Sequence, residues 1–230
     1  MSPPSCDGMA DYTDILIIRH GQTDWNKLKR LQGHSDIPLN EDGRKQAETL
    51  AGILKGEHLD AIYSSDLKRA FETALEIAKA HNLPVTADRR FRERCYGACE
   101  GLRSDEIREK CPEEYKAWVA AAPDLFFPDG ERKTESPRQF HYRARDAIAE
   151  TAKAHLGQTI AIITHFGVLE TAYREAKGIP LGVVNRMPVL NTSINRFRWH
   201  KDGRLELTVW QESGHLEEAK KPPVDYFKHF

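Results

Sequence analysis

The fold of this 230-residue chain is decided by its first apolar run, Ile15-Leu16-Ile17-Ile18-Arg19-His20-Gly21-Gln22-Thr23. Four consecutive aliphatic residues predict a strand over residues 13–20 that is buried on both faces, as in a parallel sheet. The strand ends in Arg-His-Gly, and Gly21 allows the backbone to turn directly after the histidine. The pattern returns at residues 159–167, where a second apolar run ends in Thr-His-Phe-Gly and contributes His165.

The two strand-end histidines predict one shared binding site. In open α/β sheets, ligands bind in the crevice beyond the carboxyl ends of the strands. The imidazoles of His20 and His165 are therefore expected at the same edge of the sheet. Arg19 precedes His20 and its guanidinium stays charged, so the ligand is predicted to be an anion.

Strand and helix patterns alternate along the rest of the chain. Apolar residues at helical spacing predict helices over residues 41–55, 137–155 and 167–177. A further helix is expected to follow a capped start at Ser64-Ser65-Asp66 and to run to about His81. Two short strands are predicted at residues 59–63 and 84–87. A β-hairpin is predicted from residues 193–199 and 205–210. This alternation is typical of a largely parallel sheet with helices on both faces. We expect a flexible leader at 1–12, one domain at 13–211 and a charged tail at 212–230.

Composition excludes several classes of function. The net charge is −1, so no overall basic field favours nucleic-acid binding. The apolar runs reach only four or five residues, far below the roughly 20 that a membrane-spanning helix needs. The N-terminus has neither a basic start nor an apolar stretch, so it does not resemble a secretory signal and a cytoplasmic location is expected. The four cysteines lack Cys-x-x-Cys spacing, so no metal site is predicted.

The polar residues after the predicted strands suit the chemistry of a phosphoryl group, which needs positive charge and hydrogen-bond donors around its oxygens. Suitable donors are Arg19, Asn26, Arg69 and His165. With no metal motif, the attacking group comes from the protein or is water. A neutral imidazole is a good nucleophile. Glu93, just after the third strand, is the candidate general acid. Taken singly, each of these residues is more often structural.

Six ordered pieces of sequence together resemble the histidine phosphatase superfamily, also called the phosphoglycerate-mutase-like proteins. They cover about residues 13–210 in the family's order and spacing. The pieces are Arg19–Asn26, Leu31–Asn40, Gly43–Ala47, Ser64–Ala70, Glu93–Gly97 and Thr164–Gly167. One Arg-His-Gly is a weak signal, whereas six ordered pieces are a strong one.

The resemblance implies a three-layer α/β/α sandwich with a mostly parallel six-stranded sheet. It implies that His20 accepts the phosphoryl group as a phosphohistidine and that Glu93 first donates and later accepts a proton. The phosphoryl group would be bound by Arg19, Asn26, Arg69 and His165. Positions that would contact the rest of the substrate are Thr23, Gln32, Gly33 and Tyr96.

The resemblance also implies the ligands and partners of the chain. A phosphatase of this family needs no metal or organic cofactor, and its partner is a small phosphorylated metabolite. A homodimer is compatible with the resemblance, because some members pair through an edge strand.

One departure from the family pattern is visible at Phe166. Many relatives have His-Gly-Gly where this chain has His165-Phe166-Gly167. The backbone N–H of Phe166 is still expected to reach the phosphate. Its ring either narrows the pocket or packs into the core, and the sequence leaves both open.

Two fates of the phosphohistidine separate the branches of the family. Water accepts the phosphoryl group in phosphatases, and a second substrate hydroxyl accepts it in mutases. The basic insertion of the mutases, with its tandem arginines, is missing after Gly97, where the chain continues through Glu100-Gly101. Hydrolysis is therefore favoured. The alternatives are a phosphoglycerate mutase primed by 2,3-bisphosphoglycerate, an inactive phosphate-binding module, and a metal hydrolase, which a chelator would inhibit.

Overall fold

A computed structural model describes residues 11–185 and 187–216 and contains one six-stranded mixed sheet with the strand order β3-β2-β4-β1-β5-β6. The strands are β1 Tyr12–Arg19, β2 Ala61–Ser64, β3 Val85–Ala87, β4 Thr159–Thr164, β5 Ile194–His200 and β6 Leu205–Glu212. The first four are mutually parallel, β5 runs antiparallel to β1, and β6 runs antiparallel to β5. The predicted parallel core with a hairpin at its edge is confirmed.

Seven helices belong to the described residues and cover the sheet or its carboxyl edge. They are α1 Asp24–Lys27, α2 Glu41–Leu54, α3 Lys68–His81, α4 Ser104–Lys110, α5 Pro112–Val119, α6 Pro137–Lys153 and α7 Phe166–Lys177. Strand β1 is buried on both faces because its side chains alternate between the two cores that lie on either side of the sheet. Leu16 and Ile18 pack toward α2 and α3, and Ile15 and Ile17 toward α6 and α7. The predicted three-layer α/β/α sandwich is confirmed.

Strand order brings the two strand-end histidines together. β1 and β4 are hydrogen-bonded neighbours whose last residues, Arg19 and Thr164, lie in register. The backbone N–H of His20 donates to the Thr164 carbonyl over 2.9 Å. The chain leaves β1 toward α2 on one face and leaves β4 directly into α7 on the other. This divergence opens the crevice in which α/β sheets bind ligands.

A third, smaller core lies under α4 and α5, apart from the sheet. It is formed by Cys99, Ile107, Leu125 and Phe127. Two short 3₁₀ turns, Arg89–Phe91 and Gly97–Cys99, connect this part of the chain to β3. Residues 97–127 therefore form a wall beside the sheet edge that has a small core of its own.

Two expectations need correction. α3 begins at Lys68 after Leu67, so Ser64 to Asp66 do not cap it directly. The start of the expected tail is ordered, since β6 includes Glu212 and Leu216 is 4 % exposed. The rest of that tail, and the expected leader up to residue 10, lie outside the described residues. Within residues 11–185 and 187–216, no helix combines the length and apolarity that crossing a bilayer requires.

Candidate active site

A cavity of about 1210 Å³ opens beyond the carboxyl ends of β1 and β4. Ten of the eleven site residues expected from the sequence line it. They are Arg19, His20, Asn26, Gln32, Gly33, Arg69, Glu93, Tyr96, His165 and Phe166. Residues far apart in sequence thus meet at the sheet edge.

The His20 imidazole is 3 % exposed, and its tautomer follows from one contact. Nδ1 lies 2.7 Å from the Gly21 carbonyl, which can only accept a hydrogen bond. Nδ1 therefore carries the proton, and Nε2 keeps its lone pair. Burial, followed by the charges of Arg69 and Arg19, holds the pKa of His20 well below 6.5. The ring is neutral at physiological pH, as a nucleophile must be.

The His165 ring lies beside that of His20, with 5.1 Å between ring centroids. Its Nε2 lies 2.8 Å from Ser65 Oγ, which also accepts a 3.3 Å hydrogen bond from the Leu67 N–H. When the Ser65 hydroxyl donates to Nε2, the ring proton of His165 lies on Nδ1. His165 Nδ1 is buried and has no partner among the described residues. It is a donor without an acceptor beside the neutral His20.

Arg69 is the most enclosed cation of the site, with 1 % exposure. Its two terminal nitrogens donate to the carbonyls of Gly33 and Ser35 over 2.8 and 2.9 Å. Nε is buried without a partner among the described residues. Burial lowers the pKa of Arg69 to about 10, so the guanidinium remains charged at neutral pH. The site contains a fixed positive charge with unused donor capacity.

The Glu93 carboxylate is held by backbone groups on both oxygens. Oε1 accepts from the Arg94 N–H over 2.8 Å, and Oε2 accepts from the Gly167 N–H over 3.0 Å. A Cβ on residue 167 would lie 2.3 Å from Oε1, so only glycine allows this approach. Arg143 donates to the Glu93 carbonyl over 3.2 Å and fixes the segment from outside. The carboxylate is therefore rigidly placed at the cavity wall.

Loop 187–191 completes the site on the side of β5. The Arg19 guanidinium donates to the Val189 carbonyl. Asn191 Nδ2 donates to the His20 carbonyl over 2.8 Å and lies 3.4 Å from Asn26 Oδ1. The Asn26 oxygen also accepts from the Thr23 N–H. With its oxygen engaged, Asn26 retains its NH₂ group as a donor toward the cavity.

Comparison with known proteins identifies this arrangement. The family model described as histidine phosphatase superfamily (branch 1) matches residues 15–213. This chain belongs to the histidine phosphatase superfamily. The family and the enzyme class expected from the sequence, a phosphatase of this superfamily, are confirmed.

Relatives of this histidine phosphatase carry both mutase-like and phosphatase names. The phosphoglycerate mutase-like protein 4 of Arabidopsis thaliana is 40% identical over 91% of this chain and 89% of its own. The metal-independent phosphoserine phosphatase of the same plant is 38% identical over 90% of this chain and 84% of its own. Among solved structures, Bacillus stearothermophilus YhfR is 33% identical with a TM-score of 0.79, covering 88% and 98% of the two chains.

The structure also gives the surroundings of two further residues of the histidine phosphatase that the sequence analysis named, Thr23 and Phe166. Thr23 is fully buried outside the cavity lining, where its hydroxyl caps α1 and lies 2.8 Å from Gln32 Oε1. Through this hydrogen bond Thr23 holds the side chain of Gln32, which does line the cavity. Phe166 is half-buried, and its ring both packs on the α6–α7 core and lines the cavity. The N–H of the next residue, Gly167, donates to Glu93 Oε2.

Several residues at the site were missed by sequence reasoning. Ser65, Asn191 and Glu100 act through hydrogen bonds between distant segments, and no local pattern marks them. Arg94 lies in a quoted motif, but its position beneath the aromatic rings of Tyr96 and Phe127 depends on the third core. From the sequence, the one available signal for Arg94 is its position directly after the candidate acid Glu93.

Proposed function

We propose that this histidine phosphatase hydrolyses a small phosphomonoester through a phosphohistidine on His20, without a metal ion. The observation that carries the proposal is the neutral Nε2 of His20 beside buried donors that have no acceptor within the described part of the chain. A nucleophile and a preorganised oxyanion site are the two elements that phosphoryl transfer to a side chain requires.

The geometry supports a two-step mechanism. His20 Nε2 attacks phosphorus, the P–O ester bond breaks, and its electron pair leaves on the alkoxide oxygen, which takes a proton from Glu93. Water then gives a proton to the Glu93 carboxylate as its oxygen attacks phosphorus. The P–N bond breaks, its electron pair returns to Nε2, and inorganic phosphate leaves. Arg19, Asn26, Arg69 and His165 would hold the phosphoryl oxygens throughout.

Hydrolysis is favoured over transfer to a second substrate by the wall of the cavity beyond Glu93. That wall combines aromatic and aliphatic side chains, among them Leu102, Ile107, Tyr115 and Trp118, with separate charged side chains such as Arg94 and Glu170. A bisphosphorylated mutase intermediate needs a second cluster of cations there. Three of the arginines that line the cavity, Arg30, Arg103 and Arg174, already pair with Glu106, Asp105 and Glu170. The name of the phosphoserine phosphatase relative agrees with this preference and suggests O-phosphoserine as the first substrate to test.

Metal independence is favoured by the same chemistry. Nucleophile and proton carrier are both side chains, so no step requires a metal-bound water. Among the residues that the structure describes, no group of three His, Cys, Asp or Glu side chains is arranged to hold a metal.

Intact-mass spectrometry after rapid quenching tests the proposal. The enzyme is mixed with O-phosphoserine or p-nitrophenyl phosphate in the presence of a chelator, beside a His20→Ala control. We expect phosphate release and an acid-labile phosphoryl adduct, both lost in the control. An adduct that decays only when 3-phosphoglycerate is added would support the mutase instead. Release that stops with the chelator would contradict the metal-free mechanism.

A further inference from the structure

The cavity contains a second charged region beyond Glu93, with Arg94 at its centre. Arg94 is 5 % exposed, and its guanidinium carbon lies 4.5 Å from the centre of the Tyr96 ring and 5.5 Å from that of Phe127. Its Nε and Nη2 atoms are buried and have no partner among the described residues. The rings fix the plane of a cation whose hydrogen bonds are unused, an arrangement suited to a carboxylate.

An acidic side chain, Glu170, faces the same cavity from α7. Glu170 follows Gly167 by three residues, so it lies on the same face of the helix, one turn from the N–H that holds Glu93. Its Oε1 accepts from Arg174 Nε and Nη2 over 3.1 and 2.8 Å. No described residue donates to Oε2, which leaves one oxygen for a ligand.

The surroundings of Glu170 leave its negative charge incompletely balanced. Burial raises the pKa of its carboxyl group, and this outweighs the lowering effect of Arg174. The nearby charge of Glu93 also raises it. A cation bound to Oε2 would relieve both effects.

Arg94 and Glu170 do not satisfy one another, since the ion pair of Glu170 within 4 Å is with Arg174. One cation and one anion thus present unused hydrogen-bonding capacity to the same space beside the candidate proton donor. A ligand with a single charge would leave one of them uncompensated.

We infer that Arg94 and Glu170 form a zwitterion subsite, in which Arg94 binds the carboxylate and Glu170 the ammonium group of an α-amino-acid phosphomonoester. This rests on the proposed function, because the ester oxygen must lie at Glu93. The subsite selects a free amino-acid ester over the same residue within a peptide, whose amino and carboxyl groups are no longer charged.

A set of four esters that differ only in these two charges tests the subsite. They are O-phosphoserine, N-acetyl-O-phosphoserine, O-phosphoserine methyl ester and N-acetyl-O-phosphoserine methyl ester. For the wild type we expect kcat/KM to fall by roughly 10- to 100-fold with each charge removed, the range of a charge-assisted hydrogen bond.

Two substitutions assign each charge to its residue. In Glu170→Gln, the ratio of kcat/KM between O-phosphoserine and its N-acetyl derivative should fall toward one. The ratio of kcat/KM between O-phosphoserine and its methyl ester should stay at the wild-type value. Arg94→Met should show the opposite pattern. The matched control Glu48→Gln removes a carboxylate from the exposed face of α2 and should keep both wild-type ratios.

The outcomes separate this inference from the proposed function. Equal kcat/KM for all four esters, with p-nitrophenyl phosphate still hydrolysed through the adduct, would overturn the subsite alone. Wild-type ratios in both substituted proteins would overturn the assignment to Arg94 and Glu170. If Arg94→Met does not fold, the wild-type comparison and Glu170→Gln still decide the result. Loss of the adduct with every ester would instead contradict the proposed function.

Discussion

Glu100 and Arg69 hold opposite sides of the same turn. Arg69 donates to the carbonyls of Gly33 and Ser35, and the Glu100 carboxylate accepts from the N–H groups of His34 and Ser35 over 2.8 and 2.7 Å. The turn passes so close to Glu100 that a Cβ on residue 33 would lie 2.1 Å from Oε1. The carboxylate therefore positions the carbonyls that orient Arg69, the cation proposed to bind the phosphoryl group.

Replacing Glu100 with glutamine should misplace Arg69 without removing it. An amide NH₂ group would face backbone N–H donors and release the turn. We expect weaker binding of inorganic phosphate by calorimetry and a lower kcat/KM. The loss should be smaller than the roughly 10²- to 10³-fold expected when a phosphate donor itself is removed, as in Arg69→Met. Unchanged phosphate affinity in a folded Glu100→Gln protein would show that Glu100 has no positioning role.

Ser65→Ala should disturb the tautomer of His165. Without the hydroxyl, Nε2 loses its donor, and the ring proton is no longer confined to Nδ1. We expect ¹⁵N NMR to show a mixture of tautomers and kcat to fall on the order of 10-fold, less than for loss of a complete donor. Ser65→Thr keeps the hydroxyl and is the matched control. A single Nδ1–H tautomer in Ser65→Ala would contradict the assignment.

Glu93→Gln should affect esters according to their leaving group. An alkoxide such as that of serine needs a proton as it departs, whereas p-nitrophenolate departs readily without one. General acid catalysis contributes roughly 10²- to 10⁴-fold, so kcat for O-phosphoserine should fall within that range. The fall for formation of the adduct from p-nitrophenyl phosphate, measured by stopped flow, should be much smaller. Equal losses for both esters would exclude Glu93 as the proton donor.

The buried histidines predict that acid destabilises the fold. Burial, with Arg69 next, holds the pKa of both His20 and His165 well below 6.5. Below pH 6.5 the unfolded chain binds protons that the folded chain does not, so stability falls as the pH drops toward the folded pKa. Each histidine should lower the free energy of unfolding by about 1 kcal/mol between pH 6.5 and 5.5.

Urea titrations at pH 7.5, 6.5 and 5.5 measure this loss, with His20→Asn as the comparison. The variant should lose about 1 kcal/mol less than the wild type over the acidic interval, and the two should show little difference in pH dependence above pH 6.5. Parallel curves over the whole range would mean that His20 is protonated as easily in the folded chain as in the unfolded one.

Sequence reasoning located the reacting groups of the candidate site because parallel strands deliver their last residues to one edge. His20 and His165 each follow an apolar run, and Arg69 begins the helix after another, so local pattern sufficed for them. The sequence could not show that the Thr23 hydroxyl caps α1 and faces the interior, because a threonine at that position could equally face the cavity. Ser65 contacts His165, which is 100 residues away in the sequence. Glu170 faces the cavity through its position on one face of α7. No local spacing in the sequence marks either contact.

Arg69, Arg94 and His165 have buried donors with no acceptor in residues 11–185 and 187–216, and this has a consequence for the protein as a whole. Folding takes these groups out of water without replacing their hydrogen bonds, so the empty enzyme is less stable than its architecture allows. An anion in the cavity supplies the missing partners and shifts the folding equilibrium by mass action. The phosphate level around the protein would then regulate its resistance to heat and proteolysis as well as the occupancy of its site.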